Sequence, residues 1–189
     1  MRRTALLLAV IAPLCGCGES TTTEATAEFQ PPAAARHALG AAVRKDLAAL
    51  RGATAAFHDI ETAKAAGWSA PITGCMTDPT AGGMGYHYGK VSLIDGAVSV
   101  TEPELLLYEP QKNGRMRLVA VEYIIPYTEH PRSAQPPVLF GQQFQQVDVF
   151  QLWGLHAWVW RENPSGIFAS WNPRVTCEHA TDVAATAHH

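Results

Sequence analysis

The sequence predicts an α+β fold: N-terminal helices packed on one face of an antiparallel β-sheet, in a single domain with one disulfide. Three observations carry this expectation. From His37 to Trp68 the apolar residues Leu39, Val43, Leu47, Leu50, Phe57 and Ile60 recur mostly at three- and four-residue steps, the period of a helix face. After Pro71 the pattern changes to short apolar runs separated by Gly, Pro and Asn, as in strands joined by tight turns. Two cysteines, Cys75 and Cys177, bracket that second part. Helices first and strands afterwards segregate into α+β. A chain of 189 residues is ordinarily one domain, and 47% hydrophobic residues with a net charge of −3 argue against disorder. The same charge provides no basic field, which excludes nucleic acid as an expected partner.

The N-terminus reads as an export signal over residues 1–16. Arg2 and Arg3 precede an apolar run, Thr4 to Leu14, of signal-peptide length and too short to span a bilayer. The run ends Leu14-Cys15-Gly16-Cys17, which resembles the lipobox of bacterial lipoproteins. The resemblance implies cleavage before Cys17, lipid on its sulfur, and a protein anchored to the cell-envelope membrane with its domain in the periplasm or at the surface. Residues 17–35 then form the lipidated cysteine and a polar, proline-bearing tether; 36–180 form the domain; and 181–189 form a polar tail. Export leaves Cys75 and Cys177 as the domain's cysteines. Two thiols in an oxidising compartment are expected to pair.

Within the domain, Asp59 is placed to cap a second short helix that stops at Gly67, and Gly52 weakens the first. Gly82, Gly83 and Gly85 read as a bend or bulge before a strand; they lack the GxGxxG spacing of a phosphate loop. Leu105–Pro110 and Arg115–Pro126 flank Asn113-Gly114, the preferred pair for a two-residue hairpin turn. Residues 127–138, with Pro131, Pro136 and Pro137, form a loop. A further strand covers Phe150–Arg161, Asn163-Pro164-Ser165-Gly166 turns the chain, and a last segment runs from Phe168 to Cys177.

The strings GGMGYHY, LLYEP, LVAVEY, LFGQ, LHAWVW and NPSGIFASWNP, with the paired cysteines, resemble a family of small exported bacterial proteins over roughly residues 40–178. The resemblance implies a free-standing domain. It carries over no fold, cofactor or catalytic residue.

Chemistry must therefore come from polar residues that sit badly in apolar strands: His87, Glu109, Glu122 and His156. Glu122 is the strongest anomaly, because its neighbours on both alternating faces are apolar. A buried carboxylate needs a charge, a hydrogen bond, a metal or a proton. A two-residue turn would pair Leu105 with Glu122 and Glu109 with Leu118. The two glutamates would then share a face but stand about 13 Å apart, too far to bind one ion. A three-residue loop would instead put them on opposite faces. His87, His156 and Glu122 remain as a ligand set suited to zinc, copper or iron, with Glu109 as the secondary candidate. Three readings stay open: a structural polar network, a divalent transition-metal site, or a site for a small organic ligand or proton transfer. A non-enzymatic envelope lipoprotein that binds a small ligand or a protein partner is the alternative function. Trp153, Trp158, Trp160, Phe168 and Trp171 read as core, or as a ligand platform if Gly154 makes a bulge. Serine hydrolysis has no support, since GxSxG is missing.

Overall fold

In the computed structural model, which describes residues 39–181, helix α1 spans Ala41–Thr54 and runs through Gly52. Leu47 and Leu50 are buried on its inner face, each contributing about 1.5–3 kcal/mol of burial. A 3-10 turn over Ala55–His58 follows, and then six residues of helix α2, Ile60–Ala65. Asp59 caps α2 by accepting from the Glu61 amide at 3.0 Å. Gly67, at φ 110°, ends it, with the Trp68 amide donating back to the Ala63 carbonyl. The expected two-helix layer is thus one full helix and a short turn, and the chain is mostly β. The cap at Asp59 and the stop at Gly67 leave room for little more. The expected signal peptide, lipidated Cys17 and tether, and tail residues 182–189, lie outside the described residues. Among the described residues no helix is long and apolar enough to cross a membrane.

Six strands form one curled antiparallel sheet in the order β1-β2-β3-β4-β8-β7. They are β1 (Ala70–Asp78), β2 (Gly82–Gly89), β3 (Leu105–Pro110), β4 (Met116–Pro126), β7 (Gln145–Val147) and β8 (Leu152–Ala157). The pair β5 (Val138–Leu139) and β6 (Gln142–Gln143) stands apart from it. Both faces of the sheet are apolar. Leu106, Tyr108, Val121, Tyr123, Trp153 and Leu155 share one cluster with Leu47, Leu50, Ala63 and Trp68. Leu105, Leu107, Ala120, Ile124 and Trp158 form the other cluster with Met76, Met84 and Val175.

The β3–β4 turn corrects the expected register. Gln111 and Arg115 close a three-residue loop with Gly114 at φ 75°, so Glu109 faces Arg117 rather than Leu118. A register shift between Leu107 and Tyr108 leaves Val119 as an extra residue on β4. That bulge restores Leu105 opposite Glu122, the pairing expected from a two-residue turn. It also returns Glu109 and Glu122 to one face, because Leu105, Leu107 and Glu109 alternate along β3.

The glycine run of β2 seats a C-terminal strap. Asn172 pairs with Gly83 through two 3.1 Å backbone hydrogen bonds. A Cβ on Gly82 would fall 2.3 Å from the Asn172 carbonyl oxygen, so only glycine fits. Cys177 anchors the strap through a disulfide to Cys75 on β1.

Candidate metal centre

Strand register brings three of the four sequence candidates together. Glu122 on β4 lies directly opposite His156 on β8 and, on its other side, opposite Leu105. His87 on β2 is paired with Leu107, which in turn faces Ala120. Across a flat sheet, β2 and β4 would stand roughly 10 Å apart. The curl of the sheet lets the imidazole of His87 reach over β3 toward Glu122.

Nε2 of His87 stands 3.4 Å from Oε2 of Glu122, and Nε2 of His156 stands 3.8 Å from the same oxygen. The three ligand atoms all lie within 4.8 Å of one another. The two rings meet edge to face with centroids 6.3 Å apart. Tetrahedral ligands at zinc distances stand about 3.3 Å apart, so each pair with Glu122 need close by only about half an ångström or less. The ring of His156 lies parallel to that of Trp158, at 6.2 Å between centroids. Gly154, regularly paired with Ile124, makes no bulge. Its bare Cα makes room for the carboxylate instead, since an added Cβ would sit 2.9 Å from Oε1 of Glu122.

Burial controls the charges. His87 is 2% exposed, and Glu122 and His156 are each 7% exposed. Desolvation pushes His87 down to about 4, and desolvation with the nearby His87 pushes His156 down to about 3. Desolvation and the neighbouring Glu104 raise Glu122 to about 8. Without an ion the cluster is therefore uncharged at neutral pH. Nε2 of His156 is buried with no hydrogen-bond partner. A buried polar atom without a partner costs free energy that a bound ligand would recover.

These shifts set the pH dependence of the metal-free protein. Glu122 and Glu104, both raised to about 8, favour folding fully below their ordinary value of 4.5. That contribution is lost as pH rises toward 8. The histidines are depressed below 6.5, so their contribution is present above 6.5 and is lost as pH falls toward 4 and 3. From about pH 4.5 to 6.5 the two trends offset each other, and above that range the glutamates dominate. Thermal melts of metal-free protein are expected to show a lower midpoint at pH 8.5 than at pH 6, and a rise over that interval would contradict the assignment. An ion that needs Glu122 ionised would reverse the trend.

Glu109 is held elsewhere. Its carboxylate accepts from the Thr176 amide at 3.1 Å and from Gln111 Nε2 at 3.2 Å, which ties it to the strap. His130 bonds the Gln135 carbonyl, and His58 packs on Trp160. The indole N–H groups of Trp153, Trp158 and Trp160 all donate within the chain, as core tryptophans do.

Two contributors went unread in the sequence. Glu104 is 1% exposed and accepts from the Ile124 amide, beyond the last pair of the β3–β4 ladder. In sequence it belongs to the polar stretch Thr101-Glu102-Pro103, which conceals its burial. Thr73, whose Oγ1 lies 2.8 Å from Nδ1 of His87, sits in a strand broken by Pro71 and Gly74. No periodic pattern marked it.

Comparison with protein-family models, curated proteins and solved structures returns no match to this chain. The arrangement itself defines the class: a disulfide-linked, mostly β domain with a buried His/Glu/His group that could hold a metal ion.

Proposed function

We propose that the protein binds one divalent transition-metal ion (zinc, copper or iron) through Nε2 of His87, Nε2 of His156 and the carboxylate of Glu122. The observation that carries this reading is the convergence of three buried donor atoms, one of them His156 Nε2 with no other partner. A structural network would satisfy that nitrogen. Two imidazoles with one carboxylate suit borderline metals. Three protein ligands around a tetrahedral ion leave a fourth position for water or a small ligand. The charged N-terminus, short apolar run and Cys17 support export and lipid anchorage at the cell envelope, and the disulfide fits an oxidising compartment.

Competition titration against a chromophoric chelator tests the reading. One equivalent of zinc is expected to bind, with Glu122→Gln weakening it and Glu109→Gln leaving it unchanged. Equal losses from both substitutions, or no uptake by the parent protein, would refute it.

A small organic ligand remains the second reading, and one feature favours it. A cavity of about 1000 Å³ lies beside β2, lined among others by Tyr86, Tyr88, Lys64, Gln111 and Arg115. These tyrosines alternate with His87 and so belong to the opposite face of the sheet. Binding of an aromatic probe at this cleft should be indifferent to Glu122→Gln.

A further inference from the structure

We propose that Thr73 is the positioning residue of the metal centre: its hydroxyl holds Nδ1 of His87 and so aims Nε2 at Glu122 and His156. The proposal rests on the metal-binding reading above.

Strand β1 lies at the edge of the sheet, and its pairing with β2 is irregular on both sides of Thr73. Register breaks fall between Pro71 and Thr73 and again between Thr73 and Met76. Between those breaks Thr73 is paired with His87, and its Oγ1 stands 2.8 Å from Nδ1. A threonine on an edge strand can be satisfied by water. Here it is half-buried and spends its hydroxyl on a 2%-exposed imidazole.

A hydroxyl both donates and accepts, so it can partner either tautomer of a neutral histidine. When Nδ1–H donates to Oγ1 of Thr73, Nε2 keeps a free lone pair directed at the space shared with Glu122 and His156. When the Thr73 hydroxyl donates to Nδ1, Nε2 carries the proton and points it at the carboxyl oxygen Oε2 of Glu122, 3.4 Å away. The ring therefore keeps its anchor in both states. Anchoring the second nitrogen of a ligating histidine fixes ring orientation and tautomer, and loss of such a partner typically weakens metal binding 10–100-fold.

Full-length protein carrying Thr73→Val, Thr73→Ala or Thr73→Ser tests this with two readouts: zinc affinity by chelator competition, and the ¹⁵N shifts of the His87 ring in metal-free protein. Valine and alanine are expected to weaken zinc about 10–100-fold and to move the His87 nitrogen shifts. Serine, which keeps the hydroxyl, is expected to restore both. Serine as weak as valine would show that the hydroxyl alone does not hold the ring and would overturn the proposal, as would valine and alanine variants with parental affinity and shifts. Should the parent bind no zinc, the metal reading fails by itself. The nitrogen shifts then still decide whether Thr73 sets the tautomer, and unmoved shifts in both variants overturn it.

Discussion

Replacing His156 with leucine is expected to abolish stoichiometric metal binding while leaving the metal-free protein as stable as the parent, or more stable by about 1 kcal/mol. The two effects have one cause. Nε2 of His156 is buried without a hydrogen-bond partner, so in metal-free protein it contributes a desolvation cost with no compensating bond. Leucine is close to histidine in volume and would fill the site beside Trp158 without that polar atom. Loss of one of three ligands should weaken binding by more than the 10–100-fold typical of an outer-shell partner. A purely structural role gives the opposite result, since removing a satisfied partner from a buried network destabilises the fold. Chemical denaturation together with metal titration of His156→Leu separates the two. Clear destabilisation with unchanged metal uptake would count against the metal centre.

The second large effect is expected from the disulfide. Cys75 and Cys177 are 102 residues apart, so their bond closes most of the domain's length into one loop. The chain-entropy model gives about 4.7 kcal/mol for a loop of that length, against about 5–15 kcal/mol of total stability for an ordinary domain. The bond also pins the strap that lies on Gly82 and Gly83 and supplies the Thr176 amide to Glu109. A Cys75→Ala/Cys177→Ala protein should therefore melt roughly 10–20 °C below the parent. Differential scanning calorimetry checks this, and a midpoint within a few degrees of the parent would show that the strap holds without its covalent tie.

Much of the site was legible because β-structure converts sequence parity into position. Glu122 stood out as a carboxylate with apolar neighbours on both faces, and the structure buries it opposite His156. The hairpin shows how a correct pairing can follow from an incorrect turn. Asn113-Gly114 suggested two residues, the loop has three, and the bulge at Val119 cancels the difference before Glu122 is reached. Bulges arise from tertiary packing, and the alternating run Leu118-Val119-Ala120-Val121 carries no sign of one. Gly154 was misread for a related reason. Its missing side chain serves the carboxylate of the neighbouring strand, which no local pattern records. The helical layer was overestimated because Leu50 and Phe57 keep helical spacing across a break at Thr54, whose hydroxyl bonds the Leu50 carbonyl. Glu104 and Thr73 were missed because both lie where proline interrupts the pattern.

X-ray absorption at the metal edge of zinc-loaded protein tests the central claim most directly. The account expects two imidazole nitrogens and one carboxylate oxygen at about 2.0–2.2 Å, and no stoichiometric zinc retained by His87→Ala or by His156→Ala. A zinc shell lacking imidazole scattering, or one unchanged by either substitution, would contradict it.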